Sequence, residues 1–271
     1  MEVRTNKIED VRNHYRKKLT GLYAGHESDI LIYQLLTEFT GFSKAELLAR
    51  QDERITESEL LKIHFGVKEL LKNKPIQYVL GKAEFYDLTF KVNSKVLIPR
   101  PETEELVHLV IKNFSTKQPL KIIDIGTGSG CIAITLKKYF PECEVTAIDV
   151  SEFALDVAQQ NALLNKTEIS FKKLDFLQRQ EREMLGNFDL VVSNPPYVRP
   201  SEKTAMNKNV LDYEPVQALF VPENDPLIFY RAIAAFCHKH LLKGGQLFCE
   251  TNQYLQDEIL NILKKKKKKK L

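Results

Sequence analysis

Apolar residues recur at helical spacing through the first quarter of the chain. Leu31, Ile32, Leu35, Leu36 and Phe39 form one stripe of a 3.6-residue repeat, with polar residues between them. Ser43 with Glu46 three residues on has the capping-box pattern of a second helix. A third opens at Thr56 or Ser58 and runs through Leu60, Leu61, Phe65, Val67, Leu70 and Leu71. Residues 1–74 therefore read as a small helical bundle. At Pro75 the period changes. Tyr78-Val79-Leu80-Gly81 and then Phe85-Tyr86-Asp87-Leu88-Thr89-Phe90-Lys91-Val92 are β-rich with turn residues between them, which predicts a β-hairpin linker over 75–100. Thr103 is placed as the N-cap of a helix over 104–113.

From residue 120 onward, short apolar runs alternate with helical patterns. Strands are predicted at 121–125, 144–148, 168–172, 189–193 and 246–250. Helices are predicted from near Gly130, over 152–164 and over 226–241, the last stopped by Lys243-Gly244-Gly245; a final one begins after Thr251. This alternation predicts an α/β, doubly wound, mainly parallel sheet of five strands over 101–271. The final helix runs into seven lysines at 264–270, a self-repelling stretch without an apolar face, so a frayed end is expected.

Composition adjusts this picture in three places. The 271 residues suffice for one large domain and a small one. The formal charge of +4 becomes −3 once the seven lysines are set aside, so the body is mildly acidic and gives no case for a nucleic-acid surface. Cys131, Cys143, Cys237 and Cys249 lack C-x-x-C spacing and sit in apolar segments, as reduced core cysteines of a cytosolic protein do. His238-x-His240 has no Cys, Asp or Glu cluster beside it, so no metal site is expected. No apolar stretch approaches the ~20 residues that span a bilayer, and no signal or transit pattern is read. The expected compartment is the cytoplasm.

Chemistry concentrates after two strands. Asp124-Ile125-Gly126-Thr127-Gly128-Ser129-Gly130 leaves a strand and opens a helix, so its backbone N–H groups can approach a ligand closely. Its G-x-G-x-G spacing differs from the G-x-G-x-x-G of dinucleotide binders. Asp149 closes the next strand, where a carboxylate can accept from both hydroxyls of a ribose or can cap a helix. Asp175-Phe176 follows the third strand, placed for an adenine edge and face, or for core packing. Asn194-Pro195-Pro196-Tyr197 ends the fourth strand. Neither proline has an N–H, so this strand end is rich in acceptors and suits a planar –NH₂ group donating both hydrogens. The order is that of an S-adenosylmethionine-dependent methyltransferase.

Further segments carry a closer likeness. They are Pro75-Ile76-Gln77-Tyr78-Val79-Leu80-Gly81, Glu84-Phe85-Tyr86, Leu97-Ile98-Pro99-Arg100-Pro101-Glu102-Thr103-Glu104, and Tyr213-Glu214-Pro215 with Ala218-Leu219. With these the chain resembles the peptide-chain release factor glutamine methyltransferases (the HemK/PrmC type). The resemblance implies a class I methyltransferase domain and S-adenosyl-L-methionine as cofactor. It implies peptide-chain release factors as protein substrates, with the Gly-Gly-Gln glutamine as acceptor and no direct nucleic-acid or membrane partner. Gly126, Thr127, Gly128, Ser129, Gly130, Asp149, Phe176 and Asn194 would hold the cofactor. Asn194, Pro195, Pro196 and Tyr197 would form the glutamine pocket, with Asn194, Pro195 and Tyr197 in catalytic roles. The bundle at 1–74 would recognise substrate. Two features depart from the family: Glu250-Thr251-Asn252-Gln253 stands where a glycine is common, and the lysine run stands where two further strands follow. The expectation is an exposed sheet edge and a less stable protein. A nucleic-acid amine methyltransferase or an inactive cofactor-binding protein is the alternative reading.

Overall fold

The structure is a computed structural model that describes residues 3–114 and 120–267, with backbone alone for 265–267. The chain packs as two units, Met1–Gly81 with Lys208–Tyr213, and Lys82–Asn207 with Glu214–Leu271.

The first unit holds helices Ile8–Leu19, Gly25–Thr40, Lys44–Ala49, Glu57–Leu70 and Ile76–Leu80. Both capping boxes form: the Ser43 hydroxyl accepts from the Glu46 N–H, and Thr56 does the same for Glu59. Their reciprocal carboxylates satisfy the N-cap amides, so each helix starts where the sequence places it. The stripe Leu31, Ile32, Leu35, Leu36 packs with Val11, Tyr15, Ile63 and Val67 in one core. One expectation fails here. Tyr78 to Leu80 is helix, not strand. Pro75 precedes the turn of helix, Gly81 ends it at φ 72°, and Ile76, Val79 and Leu80 pack against the helical core. Burial overrides the β-propensity of these residues.

In the second unit β1 (Lys82–Phe85) and β2 (Leu88–Lys91) form an antiparallel hairpin. Its two turn residues, Tyr86 and Asp87, both have positive φ (50° and 61°), the geometry of a type I′ turn that follows the strands' twist. The main sheet has β3 (Lys121–Ile125), β4 (Glu144–Asp149), β5 (Ser170–Lys173), β6 (Phe188–Ser193) and β7 (Leu241–Cys249), all parallel, in the order β5-β4-β3-β6-β7. The five expected strands are the five found among the described residues. Core residues fill both sides: Ile122, Leu190 and Val192 in one cluster, Ile123, Val191 and Phe236 in another.

Two boundaries differ from the sequence reading. Helix Ile228–His240 ends early, and Lys243-Gly244-Gly245 lies inside β7 instead of stopping the helix. The pairing with β6 shifts register between Phe188 and Leu190, and a Cβ on Gly245 would stand 2.8 Å from the Asp189 carbonyl. Glycine is what lets the bulged strand close on its neighbour. The last helix, Gln256–Lys267, continues into the lysine run, beyond the expected fray; the remaining lysines lie outside the described residues. Among the described residues no helix is long and apolar enough to cross a membrane.

Asn161, fully buried on helix Glu152–Leu164, joins the hairpin to the sheet. Its Nδ2 donates to the carbonyls of Lys91 (3.0 Å) and Ser129 (2.9 Å), and its Oδ1 accepts from the Lys91 N–H (2.6 Å). Asn161→Leu leaves these backbone groups buried without partners, so a loss of roughly 3 kcal/mol is expected in urea unfolding.

Candidate active site

The first half of the site is the loop after β3. Gly126 and Thr127 donate their N–H groups to the Ile148 carbonyl, both at 2.9 Å, which ties the loop to the end of β4. Gly126, Gly128 and Gly130 all have positive φ. Gly126 and Gly128 line a cavity, and among the described residues a Cβ on either would meet no atom within 4 Å apart from its chain neighbours. Gly130 serves packing instead. A Cβ there would lie 3.0 Å from Ile134 Cδ1 and 3.1 Å from Ala158 Cβ, so glycine allows helix Cys131–Tyr139 to sit against helix Glu152–Leu164.

Two aspartates flank this loop in different environments. Asp149, at the end of β4, accepts from the Gly128 N–H through Oδ2 and from the Ser151 N–H through Oδ1, each at 2.9 Å. Burial raises its pKa, opposed by the N–H groups of Ser151, Gly128 and Val150. The helix cap is Ser151, whose hydroxyl accepts from the Ala154 N–H. Asp149 lines the cavity, and its four acceptor sites exceed the three N–H groups that face it. Asp124 is wholly buried; its Oδ2 accepts from the Thr127 hydroxyl at 2.6 Å, and its Oδ1 completes no hydrogen bond among the described residues. Burial pushes its carboxyl up to about 7, against the pull of the Thr127 hydroxyl and the Ala133 N–H, with the Asp149 charge adding to the rise.

The second half comes from β6 and the start of helix Pro101–Asn113. Asn194, Pro195 and Pro196 line the same cavity as Gly126, Gly128, Asp149 and Phe176. The Asn194 Nδ2 donates to the Thr103 hydroxyl (3.0 Å), which donates to Glu250 Oε2 (2.9 Å), while the Tyr197 hydroxyl donates to Glu250 Oε1 (2.8 Å). Burial, and next the Glu250 charge, raise the Tyr197 pKa. Thr103 is not the helix cap that its sequence position suggests. The helix begins at Pro101, because proline at N1 needs no N–H and has its φ preset, and Thr103 falls in the first turn, 3 % exposed. Phe176 is core and cavity wall at once: it packs edge-on against Phe236, and Arg182 holds its carbonyl.

The structure thus gathers Gly126, Gly128, Asp149, Phe176, Asn194, Pro195 and Pro196 around one cavity. Thr127 and Ser129 are buried within the loop, and Gly130 sits at the helix contact. Tyr197, expected in the pocket, does not line the cavity; it packs against Tyr230, Leu255 and Ile259, with its hydroxyl on Glu250. Sequence reasoning missed the lining residues Lys95, Gln217 and Phe229 and the polar roles of Thr103 and Glu250. The signal for the last two was present, since both stand in segments that the sequence singles out. Among the described residues no His, Cys, Asp and Glu cluster could hold a metal ion.

Sheet order, glycine loop and strand-end acid define a class I S-adenosylmethionine-dependent methyltransferase. The residues fit that cofactor: an open glycine cradle, an acid lining the cavity that can accept from a diol, and the apolar walls Val150, Leu174, Phe176 and Leu177 beside Asp175. The family described as "Methyltransferase small domain" matches residues 103–213, and "PrmC N-terminal domain" matches residues 10–81. The chain is 44% identical over 261 residues to a release factor glutamine methyltransferase of Flavobacterium psychrophilum, covering 95% of this chain and 91% of that protein. It is 40% identical over 247 residues to the enzyme of that name from Bacteroides thetaiotaomicron, covering 91% and 88%. A third, from Lactococcus lactis, is 42% identical over 208 residues, covering 77% and 75%. The chain belongs to the release factor glutamine methyltransferase family.

The buried acid has a consequence for stability. Asp124 is raised in the fold, so below about pH 4 it is protonated in both states and carries no penalty. As pH rises toward about 7 the unfolded chain ionises first, and the fold loses stability relative to low pH, roughly 4 kcal/mol once both states are ionised. Comparing urea midpoints at pH 5 and pH 8 should show the loss for the unaltered chain and a smaller one for Asp124→Asn.

Proposed function

We propose that this enzyme transfers a methyl group from S-adenosyl-L-methionine to the side-chain amide nitrogen of the glutamine in the Gly-Gly-Gln loop of peptide-chain release factors. The observation that carries the reading is the anchored Asn194 amide. Its Nδ2 gives one of its two hydrogens to Thr103, which fixes the amide plane and leaves Oδ1 as the acceptor of a side chain that lines the cavity, next to two prolines without N–H groups. The family supplies the substrate class.

An amide nitrogen is a poor nucleophile because its lone pair is delocalised into the carbonyl. The cofactor supplies an activated methyl on a sulfonium. Asn194 Oδ1 and the Pro195 carbonyl accept the two amide hydrogens of the substrate, raise electron density on its nitrogen and aim that atom along the line of displacement. These bonds strengthen as positive charge grows on nitrogen, which is what transition-state stabilisation requires. The released proton passes to water. Gly126, Gly128, Asp149 and Phe176 hold the cofactor, with Asp149 on the ribose, in a loop shaped by Thr127, Ser129 and Gly130. Residues 1–74 recognise the release factor. The reaction takes place in the cytoplasm and needs no direct nucleic-acid contact.

Transfer of labelled methyl to release factors, DNA and ribosomal RNA in parallel tests the reading, and label on nucleic acid alone would overturn it. Asn194→Ala should cut the rate about 10²–10³-fold, the cost of one lost transition-state hydrogen bond, with affinity for S-adenosylhomocysteine nearly unchanged. Asp149→Ala should do the reverse. Calorimetry should show cofactor binding weakened by about 1.5–3 kcal/mol, as for lost charge-assisted hydrogen bonds. Removing residues 1–74 should spare cofactor binding and abolish methylation of a whole release factor.

A further inference from the structure

We propose that Glu250 and Thr103 are positioning residues that set which end of the Asn194 amide faces the cavity. The inference rests on the catalytic role proposed for Asn194 and adds the reason that its amide points one way.

A primary amide is nearly symmetric in shape, and its oxygen and nitrogen exchange places by a half-turn at little steric cost. The proposed chemistry tolerates only one orientation, because an NH₂ group turned to the cavity would oppose the substrate's own NH₂. Something must break the symmetry. Thr103 alone cannot, since a hydroxyl both donates and accepts.

Glu250 breaks it. An ionised carboxylate has acceptors only, so the Thr103 hydroxyl, 2.9 Å from Oε2, must spend its single proton there. Toward Asn194 it then has only lone pairs. The amide must answer with Nδ2, as found at 3.0 Å, and Oδ1 goes to the cavity. The direction of two hydrogen bonds in series is fixed by one charge. The same carboxylate orients Tyr197 through its other oxygen at 2.8 Å.

The backbone that carries this carboxylate is itself held from both sides. The Glu250 N–H donates to the Ser193 carbonyl (3.0 Å), and the Glu250 carbonyl accepts from the Tyr230 hydroxyl (3.3 Å). Asn252, two residues on, donates from Nδ2 to the Tyr197 carbonyl (3.1 Å). Thr103 is 3 % exposed, so solvent does not offer it a substitute partner. The segment after β7, Glu250 to Gln253, thus braces the segment after β6.

Glu250→Gln tests the polarity with almost no change in shape. The Tyr197 phenol is a stronger donor than an alcohol and retains the glutamine carbonyl, which turns the new NH₂ to Thr103. Thr103 then donates to Asn194, and the amide flips. The expected result is a kcat about 10²-fold lower, with the KM for release factor and the affinity for S-adenosylhomocysteine little changed. Thr103→Val should match it, and Thr103→Ser, which keeps the hydroxyl, should retain most of the kcat. A release factor with its loop glutamine replaced by glutamate gives a second readout. As a competitive inhibitor it should be weak against the unaltered enzyme, whose acceptors face its carboxylate, and stronger against Glu250→Gln, whose flipped amide donates to it. Unchanged kcat in Glu250→Gln, equal losses in Thr103→Ser and Thr103→Val, or unchanged inhibitor preference would each overturn the proposal. Failure of the unaltered enzyme to methylate any release factor would instead overturn the proposed function.

Discussion

The site depends on one topological constraint, the divergence of β3 and β6. These strands lie side by side in the middle of the sheet, paired from Ile122 with Leu190 to Ile125 with Ser193. The chain after β3 returns through β4 on one side, and the chain after β6 returns through β7 on the other. Right-handed crossovers send the two connections to opposite faces and open a crevice at the carboxyl ends of the pair. Ser193, whose hydroxyl donates to the Ile125 carbonyl at 2.7 Å, closes the floor of that crevice. The glycine loop and the Asn-Pro-Pro-Tyr segment are the two lips. Neither could face the other from any other strand pair in this order.

A crevice between strand ends leaves polar groups in need of partners, and the chain meets that need with the segment from Arg100 to Glu104. Arg100 pairs with the buried Glu214 carboxylate at 2.5 Å. Thr103 links Asn194 to Glu250. Glu104 accepts from the Tyr86 N–H at 2.8 Å and so steadies the left-handed turn of the hairpin. Three polar side chains on one helical turn thus tie four distant segments. Left unpaired, each of these partly buried groups would cost more than its bond contributes, so the cluster favours a single arrangement.

What the sequence discloses follows from the range of each interaction. The glycine loop, the Ser43 and Thr56 caps and helix Glu152–Leu164 are local, and local patterns predict them within a residue or two. The Thr103–Glu250 bond spans 147 positions and the Asn194–Thr103 bond 91, and no local pattern encodes such pairs. The misread elements obey the same rule. Ile76–Leu80 is helix because distant helices bury it, and the bulge in β7 exists because Asp189 lies close to Gly245. The Tyr86–Asp87 turn lacks the glycine that usually marks its type; Glu104 and the edge-on ring of Tyr139 compensate from outside the hairpin. Asn161, which holds β2 and the glycine loop together across 70 and 32 positions, was invisible for the same reason.

The two aspartates of the loop show how environment divides duties between identical side chains. Asp149 has the N–H groups of Ser151, Gly128 and Val150 to oppose the cost of burial, and it lines the cavity. Asp124 has the Thr127 hydroxyl and the Ala133 N–H but is wholly enclosed, so its neutral form is favoured up to about 7. The sequence Asp124-x-Gly-x-Gly-x-Gly reads as a loop with an acid at its root, and the structure assigns that acid to the loop's own shape through Thr127, leaving the cavity to the acid of the neighbouring strand.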